Sequence, residues 1–128
     1  MLLSVQTSPG EFLDKLTILE IKSERMTDPA KLANVRRELD LLRAAWAASP
    51  LAARDVAALV AELKGINETL WEIEDRIREE EAAQRFESAF IELARAVYHT
   101  NDRRAALKRR LNEALGSEIF EEKSYVGG

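Results

Sequence analysis

From Phe86 to Leu115 the chain runs without proline or glycine, and its apolar residues return at helical spacing. Phe86, Phe90, Leu93 and Val97 form one stripe, which Leu111 and Leu115 resume. One helix of that length would extend about 45 Å, at about 1.5 Å per residue, which exceeds the width of a compact domain of this size. Either the helix breaks near Thr100-Asn101-Asp102, where Thr100 or Asn101 could cap a new one, or the molecule is elongated. The stripe also carries a chemical anomaly. Its count passes through Asn101, Arg104 and Lys108, so three polar residues, two of them cationic, interrupt a core-facing seam.

The rest of the chain also reads as helix. Ser8-Pro9-Gly10-Glu11 is a helix start, with Ser8 as cap, Pro9 in the first turn and Glu11 completing a capping box. This first helix is expected over 9–26. It is apolar on two sides, with Phe12, Leu16, Leu19 and Met26 on one and Ile18 and Ile21 nearly opposite, so it should be central. Asp28-Pro29 starts a second helix over 29–47, whose Leu32, Val35, Leu39, Leu42 and Trp46 make a heptad-like seam. Ser49-Pro50 breaks it. A third helix over 53–80 turns Val56, Leu59, Leu63, Ile66, Leu70, Ile73 and Ile77 inward. Its stripe is out of phase with the one from Phe86, which demands a turn within 80–85 before a fourth helix over 85–115. Gly116 ends that helix. Residues 2–7 should be extended, with Leu3 and Val5 packed on the bundle. The tail 116–128 should dock through Ile119, Phe120 and Tyr125. The expected fold is therefore an all-α, antiparallel bundle of four to five helices in one domain spanning 1–128.

Composition narrows the function classes. The chain has no cysteine and a single histidine, His99, on the outer side of its helix, so thiolate and histidine metal sites are implausible. No apolar run is long enough to cross a membrane, and the N-terminus lacks the basic region of a signal peptide. A soluble cytoplasmic protein is the expectation. The net charge is −4, which disfavours nucleic-acid binding although RRAALKRR at 103–110 carries five cations. No aromatic residues interleave that run, and Arg103, Arg109 and Arg110 point away from the seam. No Ser-His-Asp arrangement or glycine-rich phosphate loop occurs.

If the helices alternate up and down, the start of the first lies beside the end of the fourth. Glu11 and Asp14 then stand level with Lys108 and Arg104. Lys15 is close by, and Asn101 sits one to two turns above. Lys123 and Tyr125 of the tail could close over this end. Interhelical salt bridges that set helix register are one reading of such a cluster. The other is a ligand site, because two cations one turn apart repel each other where two apolar residues would serve. A phosphate or carboxylate would suit them, and neighbouring carboxylates could hold a divalent ion bridging to it. A second candidate set lies on the third helix, where Asn67, Trp71, Glu74 and Arg78 form a stripe flanked by Asp75. The ion pair expected between Glu74 and Arg78, four apart, accounts for those two within their own helix.

The stretches SPGEFLDKLTILEIKSER, INETLWEIEDRIREEE, FIELARAVYHTNDRRAALKRRLN and GSEIFEEKSY together resemble a bacterial family of small proteins that carry a domain of unknown function. The resemblance covers almost the whole chain. It implies a cytoplasmic accessory protein, met among genes for cell-surface polysaccharide and lipopolysaccharide glycosyl transfer, with an enzyme of polysaccharide synthesis as a partner. A weaker likeness is to the all-α nucleotide pyrophosphatases, which bind magnesium through acidic helices. Glu72-Ile73-Glu74-Asp75 is similar to half of their pattern, and Asn101 and Lys108 to their later positions. The Glu-Glu-x-x-Glu half is missing, with Glu20 and Glu24 a loose substitute, and Glu72 falls on an outward face. Three functions are thus in view. The first is a binding or accessory module for an anionic ligand or a partner. The second is a magnesium-dependent phosphohydrolase of nucleotides or nucleotide sugars, and the third a structural homodimer.

Overall fold

The computed structural model of the chain describes residues 1–124. They form four long helices, α1 (Pro9–Arg25), α2 (Pro29–Ala48), α3 (Ala57–Ala82) and α4 (Ser88–Ala114), with a short 3-10 turn at Pro50–Ala53. No strand occurs among the described residues. The chain is an all-α helical bundle.

Local chemistry sets the boundaries. The Ser8 hydroxyl accepts the Glu11 N–H at 3.2 Å, and Asp28 Oδ1 accepts the Ala30 N–H at 2.9 Å, with Pro9 and Pro29 in the first turns. Ser49 caps the 3-10 turn rather than a long helix, so α3 starts at Ala57 and not at residue 53. At the other end α3 runs on to Ala82. The turn to α4 spans 83–87, beginning inside the expected 80–85 window, and carries Gln84 in the left-handed region, at φ 54°. Helix α4 does not break at Thr100–Asp102. It is continuous from Ser88 to Ala114, and Gly116 at φ 66° terminates it, with the Ser117 N–H reaching back to the Asn112 carbonyl at 2.8 Å.

Helix α1 is central and packs against α2, α3 and α4, as its two apolar faces require. Its Leu13, Leu16 and Leu19 meet Leu39 of α2, Leu63 of α3, and Leu107 and Leu111 of α4 in one core cluster. The partners along α1 and α4 run in opposite order, from Gly10–Asn112 to Asp14–Arg104, so these helices are antiparallel. Among the described residues α2 packs as a helix only on α1 and the 3-10 turn. The Leu32–Trp46 seam is accordingly half-covered, with Leu39 its one buried member.

Two expectations about the ends change. Leu3 and Val5 are exposed and do not pack on the bundle. The tail does dock as far as Glu122, while Tyr125 lies outside the described residues. Finally, α3 and α4 pack on each other as a hairpin, and α1 reaches along it as far as Glu72, which pairs with Arg25 at 3.4 Å. Between Asn67 on α3 and Thr100 on α4 no residue is buried. This half of the hairpin forms a projecting arm.

Candidate functional site

The interruption of the α4 stripe is where α1 meets it. Asp14 projects from α1 into the bundle and is 2% exposed. Arg104 turns its guanidinium edge to it, with Nε donating to Oδ1 at 2.9 Å and Nη2 donating to Oδ2. The planar fork suits a carboxylate, and this two-bond geometry is what offsets desolvation of both charges. Asn67 of α3 completes the first oxygen. Its amide donates to Asp14 Oδ1 and to Thr17 Oγ1, each at 3.0 Å, while the Thr17 hydroxyl donates to the Asp14 carbonyl at 2.8 Å. Three helices are thus tied through one carboxylate. Among the described residues no buried side-chain nitrogen or oxygen lacks a partner. The Asp14 hydrogen bond, outweighing burial, raises the Arg104 pKa, so this residue is a permanent cation.

One turn further along α4, Lys108 is 12% exposed and lies between two carboxylates, Glu11 at 2.7 Å and Glu121 of the tail at 2.9 Å. Burial opposes its charge, but the hydrogen bonds to Glu11 and Glu121 prevail and raise its pKa. The same contact holds the Glu121 carboxyl below its ordinary value. Arg109 extends the latch, pairing with Glu122 at 3.3 Å and lying 5.2 Å from the centre of the Phe120 ring.

A close backbone approach sets this register. The Gly10 N–H donates to Asn112 Oδ1 at 2.7 Å. A Cβ on Gly10 would press on the Lys108 carbonyl and stand 2.8 Å from that same Oδ1. Only glycine lets α1 start this near α4.

Every part of this description lies within a single family match. Residues 3–128 fit the model of a family of unknown function, DUF6165. The chain belongs to the DUF6165 family. No curated protein and no solved structure matches it.

In this DUF6165 member five of the six residues of the first candidate set come together, namely Glu11, Asp14, Asn101, Arg104 and Lys108. Lys15 does not. It faces α2 and pairs with Glu38 at 3.2 Å, because one residue beyond Asp14 is about 100° round the helix. The second set joins the first. A groove of about 420 Å³ opens between α1, α3 and α4, lined by Asn67, Trp71, Glu74, Asp75 and Arg78 together with Asn101 and Arg104. Ile18 and Ile21 of α1 and Leu70 supply its apolar floor. Arg104 links the two sets. Nε and Nη2 hold Asp14, whereas Nη1 reaches only to Asn101 Oδ1, at 3.5 Å.

The acidic residues of the pyrophosphatase likeness are distributed differently. Glu72 pairs with Arg25 at 3.4 Å, Glu24 with Lys64 at 2.8 Å, Glu20 with Arg43 at 3.5 Å and Glu74 with Arg78 at 3.5 Å. Among the described residues no group of three or more acidic or histidine side chains is placed to hold a metal ion. Charge counting did not find Thr17, Gly10, Asn112 or Glu121. Gly10 carried a signal, since a glycine in a helix's first turn marks a close approach.

Proposed function

We propose that this protein is a binding module whose groove between α1, α3 and α4 takes an anionic ligand, phosphate-bearing or carboxylate. The observation that supports this is the division of labour on Arg104. Asp14 fixes the guanidinium through two nitrogens and leaves Nη1 beside Asn101 at the groove wall. A cation held that way costs little further ordering when an anion arrives. Trp71 offers a flat apolar wall for the non-ionic part of the ligand, and Arg78 a second cation at the rim. The resemblance to proteins met among glycosyl-transfer genes suggests the setting, an accessory role in the cytoplasm beside enzymes of surface-polysaccharide synthesis.

The test is a thermal-shift screen with inorganic phosphate, nucleoside diphosphates, nucleotide sugars and dicarboxylates, with and without magnesium. A stabilising ligand raises the midpoint by mass action. Asn101→Ala and Trp71→Ala should abolish the response while leaving the helical spectrum intact. A flat response across the panel sinks the reading. A response that survives both substitutions removes the groove as its seat.

A further inference from the structure

The groove between α1, α3 and α4 has two chemically different ends. Donors stand at its root. Arg104 Nη1 has no acceptor nearer than Asn101 Oδ1 at 3.5 Å, and the Asn101 amide nitrogen donates to nothing among the described residues. Acceptors stand further out on α3. Asp75 has no hydrogen bond or ion pair among the described residues, and Glu74 meets Arg78 through Oε2 at 3.5 Å, leaving its other oxygen without a donor. Trp71 and the apolar floor of Ile18, Ile21 and Leu70 lie between. Helical rise gives the spacing. Asn67 and Arg104 bond the same oxygen of Asp14, so they stand level. Asp75 is just over two turns past Asn67, about 12 Å along α3 at about 1.5 Å per residue. Asn101 is one turn outward from Arg104 on the antiparallel α4, which brings it beside Leu70 and Trp71.

We infer, resting on the reading of this groove as an anion site, that its ligand is a hydroxylated ring bearing a single phosphate, a sugar phosphate in chemical class. The phosphate takes Arg104 Nη1 and the Asn101 amide, the two donors left open at the root. The ring lies on Trp71, because the C–H face of a sugar is apolar and the indole is flat. Its far hydroxyls donate to Asp75 and to the open oxygen of Glu74, and bonds to ionised acceptors are the strong ones. The acceptor end is what narrows the class. A compact polyanion places its second anionic group against Glu74 and Asp75, where like charges repel. Arg78 does not reverse this, since its guanidinium already lies against Glu74. An anion with an apolar far end gives the two carboxylates no donor in exchange for the water it displaces. The groove volume of about 420 Å³ lies within the range of small-molecule sites.

Titration calorimetry on the full chain tests it, with the 1-phosphates of glucose, galactose and mannose against inorganic phosphate, pyrophosphate and phosphoethanolamine. The last has a donor at its far end but no ring. The tightest hexose phosphate should bind about tenfold or more tighter than each of the other three probes, the scale of a hydrogen bond to a charged group. Asp75→Lys turns the acceptor end cationic and should reverse the order, so that pyrophosphate binds tighter than the hexose phosphates. Asp75 is exposed, so the circular dichroism of this variant should be unchanged. Pyrophosphate or phosphoethanolamine binding as tightly as every hexose phosphate overturns the inference and leaves the anion site standing. A hexose phosphate preference that survives Asp75→Lys overturns it as well, because the ring then lies elsewhere. No binding of any probe, inorganic phosphate included, sinks the anion reading and this inference with it.

Discussion

Asp14 on α1 and Arg104 on α4 share two hydrogen bonds across 90 residues of sequence, with Asp14 buried and its Oδ1 accepting Arg104 Nε at 2.9 Å. Neither residue can be understood alone. Asp14 tolerates burial because the guanidinium and the Asn67 amide replace the water it loses. Arg104 sits in an apolar stripe because a carboxylate waits opposite.

Removing one member should therefore hurt more than removing both. Asp14→Leu or Arg104→Leu alone should cost about 3–5 kcal/mol, the penalty of breaking a buried pair from one side. The double replacement should recover most of that loss, since apolar substitutes of similar volume are often neutral. Urea unfolding of the two singles and the double closes the cycle. Additive losses would show that the residues act independently.

The entry of α1 depends on Gly10 and Asn112. Asn112→Ala leaves the buried Gly10 N–H without its acceptor and should cost about 1–3 kcal/mol. Gly10→Ala overpacks the same contact and should cost about 1–3 kcal/mol despite the better helix propensity of alanine. Thermal unfolding of both variants measures this. An unchanged Gly10→Ala would mean that the two helices move apart freely.

Lys15 supplies the contrast. Its ion pair with Glu38 is between exposed groups, and exposed pairs contribute about 0–1 kcal/mol. Lys15→Ala should shift stability within that small range and leave any ligand response untouched. A large effect on binding would return Lys15 to the site.

The tail latch should depend on pH from both sides. The Glu121 pKa is held below its ordinary 4.5 by the hydrogen bond to Lys108. Its contribution is therefore fully present above 4.5 and is lost as pH falls through the lowered value. The Lys108 pKa is raised above 10.5 through Glu11 and Glu121. Its contribution is present below 10.5 and is lost as pH rises through the raised value. Between these limits the Ile119 amide should be protected, and Glu121→Gln should remove the acid-side transition. Amide exchange followed across pH checks this, and an Ile119 amide equally open at every pH would mean that the tail is not held by this pair.

Much of the fold was legible because its determinants are local. Ser8 before Pro9 and Asp28 before Pro29 each cap a helix through an atom two or three residues away, and the three- and four-residue recurrence of apolar side chains is a property of one helix. Where a boundary moved, as at Ala57 and Ser88, the start of the helix has no side-chain cap to mark it. The uninterrupted α4 had no such marker either. Thr100 and Asn101 have the chemistry of caps, yet Thr100 is buried and Asn101 meets Arg104 from inside the same helix.

What the sequence alone determined was a bundle of four to five helices, their apolar faces, and the fact that Asn101, Arg104 and Lys108 break one of those faces. Register along an alternating bundle went further and matched Glu11 to Lys108 and Asp14 to Arg104, since the axial position of a residue is simply its number times the rise. Only the tertiary structure decided the azimuth. Lys15 is level with the cluster but turns to α2, while Asn67 and Trp71, on a different helix from Asp14, converge on it or on the groove beside it. It also decided that α1 stops short, leaving the arm bare. Rise along a helix is set by the backbone and can be counted, but rotation about the axis matters only relative to a neighbour, and the neighbour is supplied by folding.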